Sequence, residues 1–357
     1  MKKELFSNEI TILRDTFRRL LRRRAKTNII KLIDKTHPAD LALLFRYFNE
    51  NEQDEIFNDL KPSADTAEFL NELDESISIR LLENESPERI AQILEYASSN
   101  EQAYLMGLVD DKYASSVIDL LKAEKQEELE EMMAYPEDSA GILMYTDVFT
   151  LHEDTKAKDA IYALQDQEDV EMVFYLYTLD DDGRLTGVIS LRDLVTTSGD
   201  TMLKDIMSKQ IHVVRPETDQ EEVARIVSQY NFLAVPVVDS DDHLLGIVTV
   251  EDVVDIIREE ATEDFLQMVG AGKDREILLK SSWENARMRV PWLFASWVGG
   301  VCAASVIGFF DNTIKDTLAL AAFIPVIIGM GGNIGTQTST LVVRGLATGR
   351  VNVGNNL

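Results

Sequence analysis

Phe174-Tyr-Leu-Tyr-Thr-Leu-Asp180, followed by Gly183-Arg-Leu-Thr-Gly187-Val-Ile-Ser-Leu-Arg-Asp193, recurs 59 residues later as Leu233-Ala-Val-Pro-Val-Val-Asp239 and Asp242-His-Leu-Leu-Gly246-Ile-Val-Thr-Val-Glu-Asp252. Each copy reads as an apolar strand, an acidic turn, a second apolar strand and a helix. Asp180-Asp-Asp-Gly183 carries the residues of a tight hairpin turn. Upstream, Glu153-Asp154-Thr155 and Pro216-Glu217-Thr218 each open a helix, at an offset of 63. The pattern in both copies is therefore β-α-β-β-α, and the middle of the chain is an α/β tandem repeat.

Towards the N-terminus, residues 31–134 read as a succession of short amphipathic helices. Their starts are marked by His37-Pro38, Lys61-Pro62-Ser63 and Ser86-Pro87-Glu88, the last with Ser86 as N-cap and Pro87 at the first helical position. Units of this size stack into an all-α superhelical domain, because one helix pair cannot bury its apolar face alone. Residues 1–30 are basic, with nine Lys/Arg against three Asp/Glu. Arg14, Arg18 and Arg22 share one helical stripe, which is either a solvated face or a surface that docks onto the protein's own acidic residues.

Towards the C-terminus two segments carry no charge: Trp292–Phe310, of 19 residues, and Thr317–Val343, of 27. A membrane-crossing helix needs about 20. The short link Asp311–Asp316 makes the two an α-helical membrane hairpin. Arg287 and Arg289 before it, and Arg344 and Arg350 after it, place both ends in the cytoplasm.

The net charge is −28, of which residues 1–285 carry −31 and the remainder +3. Such a field repels nucleic acid and attracts cations, so no nucleic-acid partner is expected. The one cysteine, Cys302, lies in an apolar segment, and His37, His152, His212 and His243 are scattered. No nucleophile–base set or phosphate loop is apparent, so an enzyme is not expected.

Carboxylates concentrate after the second repeat. Asp252, Asp255 and Glu259 follow i, i+3, i+7, and Glu260, Glu263 and Asp264 follow i, i+3, i+4. Each set falls on one helical face. Asp219, Glu221 and Glu222 add acid at the start of the preceding helix. Like charges so spaced disfavour the helix, so they remain in water or are neutralised. Mg2+ suits that task, since it takes one or two carboxylates and keeps most of its waters. In the second apolar segment Pro325, Gly329, Gly331, Gly332 and Gly335 loosen the helix, and irregular backbone at membrane depth is tolerated where it is buried or lines water. Asn333 and Gln337 share a face, and neutral amides can bond a hydrated cation. Gly331-x-x-x-Gly335 is equally a helix-packing motif.

The strands ending in Ser190-Leu-Arg-Asp193 and Thr249-Val-Glu-Asp252 resemble a tandem pair of CBS domains. The resemblance implies an adenine-nucleotide cleft, with Arg192 and Asp193 as nucleotide contacts and Phe232 lining the adenine pocket. Where the family often has Asp near that pocket, this chain has Asn231. Asp193 and Asp252 can equally cap the helices that follow.

The whole arrangement resembles the MgtE family of magnesium channels and transporters. The residues that carry it are Pro325-Val-Ile-Ile-Gly-Met-Gly-Gly-Asn333-Ile-Gly335-Thr-Gln337, Leu341-Val-Val-Arg-Gly345, Tyr135-Pro-Glu-Asp-Ser-Ala-Gly141, Glu259-Glu-Ala-Thr-Glu-Asp264, and Trp283-Glu-Asn-Ala-Arg287 through Pro291-Trp292. It implies a helical N domain (1–134), two CBS domains (135–198 and 199–262), a connecting plug helix (263–290) and two membrane helices (291–311 and 317–345). It further implies a multi-pass inner-membrane homodimer in contact with lipid, its N-terminal half cytoplasmic, that senses and conducts Mg2+. The matching sensor carboxylates are Asp219, Glu221, Asp252, Asp255, Glu260, Glu263 and Asp264. Asn333 and Gln337 match the pore, and ATP at the CBS pair tunes Mg2+ sensitivity. The family has three further membrane helices, so a fragment or a truncated form is expected. The alternative function is a membrane-tethered CBS adenine-nucleotide sensor that regulates a partner.

Overall fold

The structure, a computed structural model, describes residues 2–166, 174–268, 282–310 and 318–347. Residues 269–281 of the expected connecting helix, the link Asp311–Asp316 and Arg350 lie outside the described residues. The chain divides into two units, Met1–Val254 and Asp255–Leu357.

The first unit begins with ten helices: α1 (Lys2–Arg22), α2 (Lys26–Ile33), α3 (Pro38–Phe45), α4 (Glu50–Asp59), α5 (Ala64–Asn71), α6 (Glu75–Glu83), α7 (Pro87–Leu94), α8 (Ser99–Gly107), α9 (Asp111–Ile118) and α10 (Ala123–Met133). The three expected helix starts are present. His37 Nδ1 accepts from the Ala39 amide at 3.3 Å, Ser63 Oγ from Thr66 at 3.3 Å and Ser86 Oγ from Arg89 at 3.3 Å, with Pro38 and Pro87 in the first turn. Each cap satisfies an amide that has no partner within its helix.

A repeat of 49 residues, missed in the sequence, sets the stacking register. Asn49 and Glu52 form a capping box at the start of α4, and Ser98 and Glu101 form the equivalent one at α8. Four residues into each motif a buried glutamine ties its helix to the one before. Gln53 Nε2 donates to the carbonyls of Phe45 (2.7 Å) and Phe48 (3.3 Å), and Gln102 Nε2 to those of Leu94 (2.8 Å) and Ala97 (2.9 Å). Between them Ser78 Oγ donates to Leu70 at 3.0 Å. The apolar faces so aligned bury Phe45, Phe57, Phe69, Leu82, Ile90 and Leu94. The basic stripe of α1 divides. Phe17 is buried, Arg18 donates to the Tyr47 carbonyl at 2.5 Å and lies 3.7 Å from Glu52, and Arg14 sits over the Tyr47 ring, whereas Arg22 is exposed.

The tandem repeat follows. After α11 (Ala140–Leu143), β1 (Thr150–His152), α12 (Ala157–Gln165), β2 (Tyr175–Leu179), β3 (Leu185–Ser190) and α13 (Leu191–Thr196) form the first copy. β1 is parallel to β2, and β2 is antiparallel to β3 with Tyr175 opposite Ser190. After α14 (Leu203–Ile206), the second copy comprises α15 (Gln220–Tyr230), β4 (Ala234–Val238), β5 (Leu244–Thr249) and α16 (Val250–Met268). Its expected first strand shrinks to a single bridging residue, Val214, opposite Val237. Pro216 follows two residues later and has no amide to extend the ladder. The hairpins match in detail. Gly183 and Asp242 occupy the same turn position with φ of +82° and +68°, and both ladders slip register before their last pair. Tyr177, Ala234 and Ile247 form a buried core shared by the two copies.

In the second unit, α17 (Ser282–Phe309) and α18 (Leu318–Ala347) cover the two charge-free segments. Among the described residues one helix, Arg289–Phe309, is long and apolar enough to cross a membrane, with mean hydropathy 1.7. The expected second span is helical from Leu318 to Ala347, with Asn333, Gln337 and their neighbouring hydroxyls in its second half. Both helices pass through an internal proline, Pro291 and Pro325, without ending.

Candidate functional site

The fold brings Asp193 and Phe232 to one edge of the tandem repeat. Ser190 caps α13: its Oγ accepts from the Asp193 amide at 3.1 Å and donates to Asp193 Oδ2 at 2.7 Å. Arg192 and Asp193 are both exposed. Across the ladder from Ser190 stands Tyr175, whose hydroxyl accepts from the Leu233 amide at 3.4 Å, one residue past Phe232. Phe232 leaves α15 through Asn231, which holds the left-handed C-cap with φ +55°. Asparagine tolerates that conformation, so Asn231 has a backbone role here.

Two residues at this edge were not foreseen. His212 stacks on Tyr230 with ring centroids 4.1 Å apart, and Tyr230 stacks on Phe232 at 5.4 Å and 19°. His212 and Tyr230 are exposed. Exposed aromatic rings, with the exposed Arg192 and Asp193 at the end of β3, offer stacking, charge and a hydroxyl acceptor to a planar, anionic, sugar-bearing ligand. The only sequence signal was the pair of aromatics flanking Asn231.

The carboxylates spread over two helices. Asp219 caps α15, its Oδ1 accepting from the Glu221 amide at 2.8 Å, and both side chains are exposed. Tyr135–Gly141 is laced onto the start of this helix: Ala140 donates to Thr218 and Gly141 to Pro216, both at 2.8 Å, and Gln220 to Asp138 at 2.9 Å. Gly141 is required there, since a Cβ would stand 2.5 Å from the Tyr135 ring. Asp255, Glu259, Glu260, Glu263 and Asp264 all lie on α16, where Arg258 pairs with Asp255 at 3.2 Å. The side chains of Glu263 and Asp264 fall outside the described ones.

Asp252 differs from the rest. It is half-buried, with Thr249 Oγ1 donating to Oδ2 at 2.6 Å and Asn100 Nδ2, from α8, donating to Oδ1 at 3.2 Å. Burial pushes its carboxyl up to about 6, although the hydrogen bonds from Thr249 pull the other way. Burial and the nearby Asp252 together raise the Tyr145 phenol. Among the described residues no three acidic, histidine or cysteine side chains converge as a metal cage.

Asn333 and Gln337 lie on α18 one turn apart and exposed. Beside them Thr336 donates to the Gly332 carbonyl at 3.1 Å and Thr340 to the Thr336 carbonyl at 2.9 Å. These two hydroxyls are thereby turned back on the helix, whereas the amides of Asn333 and Gln337 are exposed.

Residues 36–138 match the family model of the MgtE intracellular N domain, 140–199 and 203–259 that of the CBS domain, and 324–357 that of a divalent cation transporter. The magnesium transporter MgtE of Thermus thermophilus is 35% identical over 324 residues, covering 89% of this chain and 72% of that protein. This chain belongs to the MgtE family. The Bacillus subtilis magnesium transporter MgtE is 30% identical over 90% of the chain and 71% of its own length. That of Enterococcus faecalis is 39% identical over 63% of the chain and 49% of its own length. The chain thus spans between about half and three quarters of these MgtE relatives. Among solved structures, the soluble part of a magnesium transporter is 30% identical with a TM-score of 0.63, covering 71% of this chain and 99% of that one. The cytosolic domain of the Mg2+ channel MgtE, solved in complex with ATP, is 33% identical with a TM-score of 0.65, covering 68% and 99%.

Proposed function

We propose that this MgtE-family chain is the cytosolic sensor and the first part of the pore of a homodimeric channel that carries Mg2+ across the inner membrane and closes when cytosolic Mg2+ is abundant. The domain boundaries are those read from the sequence, and both ends of the membrane hairpin face the cytoplasm. The observation that carries this reading is α16. One uninterrupted helix begins at the last strand of the tandem repeat and bears Asp252, Asp255, Glu259, Glu260, Glu263 and Asp264.

Like charges gathered on an acidic face repel when cation is scarce. Mg2+ bridges them when it is plentiful and favours the compact arrangement by its differential affinity for the two states. Several weak sites can together supply the roughly 5.5 kcal/mol that moves a population from almost all open to almost all closed. The connecting helix carries the change towards Asn333 and Gln337, whose amides bond the hydrated ion. Mg2+ supplies charge neutralisation only, and the protein performs no covalent chemistry. ATP at Arg192, Asp193 and Phe232, stacked with His212 and Tyr230, tunes the response.

The test is limited proteolysis of the chain in detergent over a millimolar Mg2+ series. Protection that grows with Mg2+ is expected, and Asp255→Asn with Glu260→Gln weakens it. A cleavage pattern indifferent to Mg2+ overturns the sensor reading. A pattern that answers to ATP alone favours the nucleotide-sensor alternative.

A further inference from the structure

The two Ser/Thr-x-x-Asp elements are alike in sequence and unlike in surroundings. Beside β3, Val188 pairs with Ser208, and Ser208 and Lys209 are exposed. The Asp193 carboxylate accepts from Ser190 Oγ at 2.7 Å, and the side chain is exposed.

Beside β5 the equivalent place is taken by Tyr145, which exchanges backbone hydrogen bonds with Ile247 at 2.8 and 2.9 Å. From there the helical N-terminal region closes over the second element. Thr146 Oγ1 bonds Ser99 Oγ at 2.8 Å and also donates to Glu128. Asn100, only 8% exposed, is hydrogen-bonded to the Tyr145 side chain and donates to Asp252 Oδ1. The Ser98–Glu101 capping box fixes the turn that presents Ser99 and Asn100.

We propose that the first turn of α8 is a built-in occupant of the second Ser/Thr-x-x-Asp cleft, so that the chain offers adenine nucleotide one open cleft, at Asp193, and keeps the other shut through Asn100. The proposal rests on the reading of Asp193 as a nucleotide contact given above. A carboxylate oxygen already facing a buried amide donor is a poor acceptor for a ligand hydroxyl, and the covering turn blocks approach. Lifting of the N-terminal helices and filling of the second cleft are therefore coupled, each favouring the other.

The experiment uses the full chain in detergent, with Asn100→Asp, which sets two carboxylates face to face, and Asn100→Ala as the milder variant. Amide exchange is followed over residues 99–107 and 249–253, and ATP stoichiometry by calorimetry. Wild type is expected to bind one ATP per chain. Both variants exchange about tenfold faster in both segments, and Asn100→Asp binds two. Two ATP in the wild type, unchanged exchange in both variants, or faster exchange with stoichiometry held at one each overturns the occlusion. Should Asp193→Asn leave wild-type binding intact, the nucleotide reading of Asp193 fails, and the exchange data still decide whether Asn100 is the latch.

Discussion

A Cβ added to Gly246 would stand 2.5 Å from the carbonyl oxygen of Tyr145. The contact arises because β5 and residues 144–146 are hydrogen-bonded neighbours, with Gly246 on the side where the two backbones touch. At the matching position of the first repeat, a Cβ on Gly187 would instead meet the side chain of Met207.

The two glycines therefore differ in what must yield. Gly246→Ala forces backbone apart and is expected to cost about 1–3 kcal/mol. Gly187→Ala displaces a flexible thioether and costs less. Thermal unfolding of the two variants side by side measures the difference, and an equal loss would mean that Met207 is as rigid as the strand.

Ser190 and Asp193 separate capping from binding. Ser190→Ala removes the acceptor for the Asp193 amide and is expected to lower stability by about 1 kcal/mol. Asp193→Asn retains an oxygen for Ser190 and is expected to change stability by less than about 0.5 kcal/mol while weakening ATP binding about tenfold. Melting curves and calorimetry on both variants check this. A large stability loss in Asp193→Asn with unaltered affinity would make the residue a cap alone.

Asp252 predicts a pH effect of definite sign. Its folded-state pKa is raised to about 6 from an ordinary 3.8, with burial as the cause. The native state thus holds a proton that the unfolded state has lost, and stability falls as pH rises from 3.8 through about 6. Asp252→Asn removes that loss. In chelator, the variant should melt higher than wild type at about pH 7.5 and alike at about pH 4. A variant that melts lower at the higher pH would show that the charged carboxylate, held by Asn100 and Thr249, stabilises the junction.

What the sequence disclosed follows from where each signal resides. Ser86-Pro87 and the paired hairpins are written within a few residues, so their caps, turns and even the shared left-handed position of Gly183 and Asp242 could be anticipated. The stack of His212 on Tyr230 joins residues from separate elements, and nothing local marks it. Asn100 looks like any polar residue in a helical first turn, and its bond to Asp252 depends on how ten helices stack. That stacking was itself legible only in part. The 49-residue repeat is carried by Asn49, Glu52 and Gln53 against Ser98, Glu101 and Gln102, a polar signature under an apolar pattern too irregular to reveal the period.

Asn333 and Gln337 decide between a pore and a packing helix. Their amides remain outward on α18 while Thr336 and Thr340 bond back to its own backbone. If the helix lines water, each amide offers a donor and an acceptor to the shell of a passing ion, and an apolar replacement leaves that shell unsupported over one turn. If the helix only packs, Gly331 and Gly335 carry the contact, and leucine at positions 333 and 337 is accommodated or even favoured by lipid. Asn333→Leu and Gln337→Leu, placed in the chain carrying whatever further membrane helices its gene encodes, are expected to cut Mg2+ uptake roughly tenfold in a transport-deficient host, with membrane insertion judged by protease accessibility of the cytosolic half. Gly335→Ala serves as the packing control. Uptake that survives both leucine variants but not the alanine would assign the face to helix contact and remove these two amides from the ion path.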